Sequence, residues 1–408
     1  MRGSEDREEY VVRILVYFFA GACAWAQADE RVWEVHFQAT SIGQEHGSFP
    51  SLYEGENSLP PHPEHRVSIT ATIFLSLKLN RHWEFVVHPE VAGGRGFGLV
   101  TGIAGFTNGE IPRVSSATPT LYPARAYVKY TDDGFSIQGG KFAVTDMFDN
   151  NTYSHDPRTQ FMNWSLMYNG AWDYPADTRG YTVGFAAELK RPSWALRAAS
   201  VMEPTTANGP IFDTRIARNR GFAAEWEHDH KLAGRTGALR VLVFDNLERA
   251  GVYRESLSIR RPGTSKYGFG FNVEQQLTQD AGVFGRYGWN DGKTETWAFT
   301  EIDRSLSGGF LWKGARWRRP QDAIGVGAVQ NYITGDHRVF LASGGYGFII
   351  GDGRLDHYAP EQIVETYYAW RATRSWTVTL DYQHITNPAY NADRGPVGVA
   401  TLRLHWER

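Results

Sequence analysis

The 38 residues from Ala143 to Gly180 combine two kinds of side chain suited to handling a polar, uncharged solute. Asp146, Asp149, Asn150, Asn151, Asp156, Arg158, Asn163 and Asp173 supply planar hydrogen-bonding groups, and Tyr153, Phe161, Trp164, Trp172 and Tyr174 supply ring faces. Carboxylates, amides and a guanidinium match hydroxyls as acceptors and donors, while an aromatic face covers the apolar side of a sugar ring. The same residues would equally knit a long loop against its support, through Asx turns and a buried Trp. Asp146 and Asp149 could form half of a Ca²⁺ site, but hard cations need several more oxygen ligands than these two supply.

Other chemistry is thinly represented. The sequence holds no Gly-x-Ser-x-Gly elbow, no His-Glu-x-x-His pair and no Walker-type phosphate loop, and Gly93-Gly94-Arg95-Gly96 opens a loop with no helix after it. A lipid-cleaving site would need a Ser or Thr nucleophile beside a His, which no strand pairs. His62 and His65 flank Glu64 in a Pro-rich stretch that reads as solvated surface and not as a metal site. The expectation is a protein that is not an enzyme and has no metal and no cofactor. With 42 basic against 45 acidic residues the net charge is −3, which leaves no footprint for nucleic acid.

A loop of this size needs a scaffold, and the sequence writes one in period-2 alternation. Val67, Ile69, Ala71, Ile73, Leu75, Leu77 and Leu79 share one face; Ser68, Thr70, Thr72, Ser76, Lys78 and Asn80 share the other. Such segments fall near 31–40, 66–79, 82–91, 124–130, 135–142, 181–189, 193–201, 220–229, 236–245, 266–277, 282–290, 305–315, 321–331, 361–371, 375–384 and 396–406. Connections after odd strands are long, and those after even strands are a few residues, such as Asn80-Arg81 and Lys190-Arg191-Pro192. The segment 295–303 is read as loop. An all-β fold follows: a transmembrane antiparallel β-barrel of about 16 strands, with short periplasmic turns and long external loops. Its 14% aromatic content, 43 Gly and 14 Trp suit that class.

In such a barrel the face opposite each apolar row lines the lumen. That places Glu34, His36, Gln38, Arg125, Lys129, Glu188, Arg197, Glu225, Glu227, Arg240, Asn272, Glu274, Arg286, Asp381, Gln383, Arg403 and His405 along the solute path. Both signs of charge are present, as a neutral polyol would need, whereas an ion pore favours rings of one sign. The Ala143–Gly180 connection is then the candidate to fold inward and narrow the channel.

The apolar run Ile14–Ala22 is too short to span a bilayer as a helix and is followed by Ala24, Ala26 and Ala28. It reads as a signal peptide over residues 1–28, cleaved before Gln27 or Asp29, leaving 29–408 as a single barrel. Glu5, Asp6, Glu8 and Glu9 sit where a basic start is expected, which points to initiation near Val11 or Val12. The only cysteine, Cys23, falls inside this segment, so the mature chain would have no thiol. A lipobox reading of Ala20-Gly21-Ala22-Cys23 fails at its first residue.

Four blocks resemble the carbohydrate-selective porins of the OprB type. They are Tyr53–Leu59 with Phe49 and Glu64–Arg66; Ile103–Glu110; Gly140–Asn151 continuing through Asp156-Pro157-Arg158, Asn163-Trp164 and Asp173-Tyr174 to Thr182; and Asp381–His384 with Asn387–Pro396 and Arg403-Leu404-His405. The resemblance implies an integral outer-membrane barrel of a Gram-negative bacterium for passive, sugar-biased diffusion. It also implies small sugars as permeants, contact with outer-membrane lipid and lipopolysaccharide, insertion by the barrel assembly machinery, and a monomer or homotrimer. A general or ion-selective porin, or a plugged structural barrel, stays open on the residues alone. Two features depart from the family: only Thr131–Gly134 links two strands where a longer excursion is expected, and the sequence runs past Trp406 to Glu407-Arg408 where such porins end on Phe or Trp.

Overall fold

The computed structural model describes residues 32–114, 116–255 and 257–408, so the signal-peptide expectation lies outside the described residues. Sixteen strands form one closed antiparallel barrel, each pairing with its sequence neighbours and β1 closing on β16. The strands are β1 Val32–His46, β2 Glu64–Lys78, β3 Trp83–Gly94, β4 Thr120–Asp132, β5 Phe135–Phe142, β6 Thr182–Arg191, β7 Trp194–Val201 and β8 Arg220–Leu232. They continue as β9 Arg235–Glu248, β10 Thr264–Gln276, β11 Ala281–Asn290, β12 Arg304–Gly314, β13 Arg319–Tyr332, β14 Glu361–Arg371, β15 Trp376–Thr386 and β16 Val397–Glu407.

Alternation decides which face is which. On β1, Thr40, Ile42, Gln44 and His46 are buried inside, while Val35 and Phe37 stand out from the wall. The turns at one end are tight because the chain can enter the left-handed region there: Asp133 and Gly134 have φ of 39° and 77°, Ala233 and Gly234 49° and 76°. Two consecutive positive φ values give the primed turn that matches strand twist. The short link after β4, unexpected for the family, is thus a two-residue hairpin. Trp33, Trp83, Trp370 and Trp376 project from the outer wall beside these short turns, as a membrane-interface girdle does.

The strand count and the loop reading of 295–303 agree with the sequence expectation, and the differences lie at strand ends. β1 runs on to His46 because its inner face there packs under inward loops, where Gln44 donates to Thr107 O at 3.2 Å. β4 starts earlier, at Thr120, with a register shift opposite His88/Pro89. The 332–360 connection contains a helix, Gly335–Ala342, capped by Thr334. Glu64 is not solvated: it is buried, accepts from Gly98 N at 3.0 Å and lies 3.4 Å from His46.

The hydrophobic core sits inside the barrel. Trp164, Trp172, Trp297, Tyr181, Tyr390, Phe142, Phe148 and Phe161 are its largest buried apolar side chains. Trp164 stacks on Phe106 at 4.8 Å.

The seam register is testable. Gln44 faces Thr401 across β1 and β16, Nε2 to Oγ1 3.1 Å, both pointing inward. In a Cys23→Ser background, Gln44→Cys/Thr401→Cys should oxidise to a disulfide that shifts gel mobility reversibly with reductant. Gln44→Cys/Leu402→Cys, with side chains on opposite faces, should not.

Candidate functional site

The chain leaves β5 at Phe142, turns through Val144–Asp146 and crosses the lumen before rejoining the wall at β6. One helical turn, α1 (Trp164–Met167), interrupts it, started by the Asn163 side chain accepting from Ser165 N at 3.0 Å. Elsewhere the backbone has no regular structure to satisfy it. Inward side chains of the wall take over that role.

Glu365 on β14 accepts from Met162 N and Asn163 N at 2.6 and 2.9 Å. Glu274 accepts from Thr152 N at 2.6 Å, and Glu225 from Asp149 N at 2.7 Å. Arg403 donates to Pro157 O and Gln160 O, each at 2.7 Å. Arg286 donates to Ser154 O at 2.6 Å, to Leu166 O at 2.9 Å and to the Asp149 carboxylate at 3.1 Å. Asp173 accepts from Trp297 N and Ala298 N at 2.7 and 2.8 Å, which folds the 295–303 loop inward as well.

The sequence-derived lumen residues therefore divide into two groups. Glu34 and His36 point inward at the short-turn rim, where Glu34 pairs with Lys78 at 2.5 Å, and Lys129 is half-buried opposite Glu84 and Gln138. Arg197 holds Glu188, Glu225 and Glu227 at 2.6 to 3.0 Å, and Arg240 holds Glu227 at 2.7 Å and Glu274 at 3.3 Å. Glu225, Arg240, Glu274, Arg286, Asp381 and Arg403 all point inward, yet the loop and its neighbours cover them.

The loop residues divide in the same way. Asn163, Trp164, Trp172 and Asp173 are fully enclosed, and Asp149 is buried on Arg286 and Asn272. Asn150 and Asp156 are half-buried. Asp146 and Asp149 do not converge on a cation, since Asp146 pairs with Arg125 and Asp149 with Arg286. Burial would raise the Asp156 carboxyl, but the Thr159 hydroxyl and Arg158 beside it hold it below its ordinary value. Burial and Arg286 both push His155 down, leaving a neutral imidazole.

On the β3–β5 side several inward charges stay partly exposed. Arg158 Nη2 meets Glu90 at 2.9 Å and its Nε meets Glu110 at 2.7 Å, while Arg113 lies 3.1 Å from Glu110 and 3.5 Å from Glu90. Burial opposes charge on Arg158, yet Glu110 and Glu90 raise its pKa and keep it a cation. These carboxylates are buried, as are the Tyr122 and Tyr181 rings, whereas Arg113, Arg125, Lys141 and Arg179 stay partly exposed. Arg113, Arg125 and Lys141 lie 5.4 to 5.8 Å from the Tyr181 ring, and Arg179 sits 3.8 Å from that of Tyr122. Asp146 holds Arg125, with Nε at 2.6 Å, and Asp177 holds Lys141 at 3.3 Å. The sequence reading missed Glu90, Glu110, Arg113, Lys141, Asp177 and Arg179 as a cluster. They come from four separate segments, although the inward parity of Glu90 on β3 was readable.

The model of the carbohydrate-selective porin, OprB family, matches residues 68–407. The chain belongs to this family. Among solved structures, the high-pH form of Pseudomonas putida OprB is similar at a TM-score of 0.73 and 16% identity, covering 92% of this chain and 94% of that one. The outer-membrane channel DcaP of Acinetobacter baumannii shares the fold at a TM-score of 0.57 and 8% identity, covering 94% and 99%. No curated protein matches the chain. This OprB-family porin is an outer-membrane β-barrel through which carbohydrates diffuse passively with a bias over other solutes, a channel rather than an enzyme.

Arg286 is the anchor most exposed to test. Arg286→Met leaves Asp149 buried without its cation, which costs roughly 3–5 kcal/mol locally. Single-channel recording should show a larger, noisier conductance as the loop leaves β11, with the folded barrel still migrating as a heat-modifiable band.

Proposed function

We propose that the 143–180 loop sets the constriction of this sugar porin. The carrying observation is that its anchors to β8, β10, β11, β14 and β16 are buried, whereas on the β3–β5 side, apart from the buried Arg158–Glu90 pair, it meets the partly exposed Arg125 and Lys141 through Asp146 and Asp177. A sugar entering the lumen there meets the partly exposed guanidinium of Arg125, the ammonium of Lys141 and the carboxylate of Asp146. Donors and acceptors together suit hydroxyls. Each contact is a single exposed hydrogen bond, so the solute is held weakly and leaves, which conduction requires. The paired charges of both signs leave no ring of one sign, which favours a neutral permeant over an ion. Outer-membrane lipid and lipopolysaccharide surround the outward apolar rows, and the barrel assembly machinery inserts the chain, as a monomer or homotrimer.

Reconstituted single channels should show ionic current blocked by millimolar glucose or a maltodextrin. Arg125→Ala, which removes one charge-assisted partner and frees Asp146, should weaken that block by about tenfold, the equivalent of roughly 1.4 kcal/mol. Current indifferent to every sugar and strongly ion-selective would instead mark an ion porin.

A further inference from the structure

At the short-turn end, the link between β12 and β13 is Ala315–Trp317 followed by Arg318 with φ of 60°, and it lies beside the β14–β15 turn. Between them opens a cavity of about 490 Å³, lined by Arg318, Arg319, Asp322, Arg371 and Arg374 among others. We propose that this cavity binds the phosphate head group of an anionic phospholipid in the periplasmic leaflet.

Position is the first argument. Inward residues of β12, and of β13 from Ala323 on, are odd-numbered, such as Ser307, Leu311, Val329 and Asn331, so Trp312 belongs to the outer wall, and Asp322 joins it through the outward Tyr368. Trp370 is also outward and 45% exposed. Arg316 lies 5.2 Å from the Trp312 ring and Arg319 6.0 Å from that of Trp370, which fixes both guanidiniums at the depth of the aromatic girdle. Lipid phosphates sit at that depth.

Charge is the second. Asp322 is buried and already committed: Arg319 meets it at 2.9 and 3.1 Å, Tyr368 OH donates at 2.5 Å and Arg371 N at 2.9 Å. Glu407 is held by Arg371 at 2.7 Å. Arg316, Arg318 and Arg374 are exposed and enter no ion pair among the described residues. Arg318 and Arg374 line a cavity whose carboxylate is occupied, and Arg316 stands on the same link beside it; unpaired guanidiniums so placed attract an anion, and a guanidinium fork matches phosphate oxygens in pairs. The acyl chains would continue along the outward Trp312, Trp370 and Trp376 faces.

The test is native mass spectrometry of the whole porin released from nanodiscs holding phosphatidylglycerol and phosphatidylethanolamine in equal parts. Wild type should retain phosphatidylglycerol selectively. Arg316→Gln/Arg318→Gln/Arg374→Gln, which spares the Arg319–Asp322 brace, should lose that retention by about tenfold or more. Its heat-modifiability and glucose block should match wild type, which separates loss of lipid from loss of fold or of sugar passage. Equal retention by wild type and variant, or no preference over phosphatidylethanolamine, would overturn the proposal. So would displacement of the lipid by inorganic phosphate alone, which would assign the site to a soluble phosphate.

Discussion

A main chain that crosses a wide barrel without helix or strand must have its N–H and C=O groups met by something. In this porin the wall meets them with charged side chains. Glu361 accepts from Ala104 N, Gly105 N and Ala389 N, and Glu365 from Met162 N and Asn163 N. Glu301 of the inward 295–303 loop does the same for Ile349 N and Ile350 N, while the wall's Arg286 and Arg403 serve the carbonyls. The wall and the loops are therefore one hydrogen-bonded body, and the shape of the lumen follows from where those charges stand.

They stand unevenly. The buried receptors of the 143–180 loop concentrate on β8, β10, β11, β14 and β16, and glycines on the same side let the loop approach. A Cβ at Gly270 or Gly288 would collide with the Asn169 side chain, and one at Gly282 with the Tyr153 ring. On β3–β5 the loop's Arg158 is buried on Glu90, while Arg125 and Lys141 stay partly exposed beside Asp146 and Asp177. The partly exposed charges therefore gather on the β3–β5 side of the lumen.

This division explains what could be read from the sequence. Period-2 patterning gives the strand count, the two faces and the loop asymmetry, because each is local. It places Arg286, Asp381 and Arg403 inward, as they are. It cannot tell that a loop over 100 residues away in the chain covers Arg286 and Arg403 and converts them from lining to anchor. The cluster of Glu90, Glu110, Arg113, Lys141, Asp177 and Arg179 was illegible for the converse reason: no segment carries more than two of its members close together. Trp164 and Trp172 suit a sugar by type and are enclosed in fact, the alternative that Asx turns and a buried Trp had raised.

Cysteine accessibility tests the account most directly. In a Cys23→Ser chain reconstituted in a planar bilayer, Lys141→Cys and Arg179→Cys should react rapidly with a charged thiosulfonate and cut the current. Asn272→Cys and Gln383→Cys, which point into the lumen but lie beneath the loop, should stay unreactive while the barrel is folded. Equal reaction at all four positions would mean that the loop does not lie against β10 and β15, and the account would be wrong.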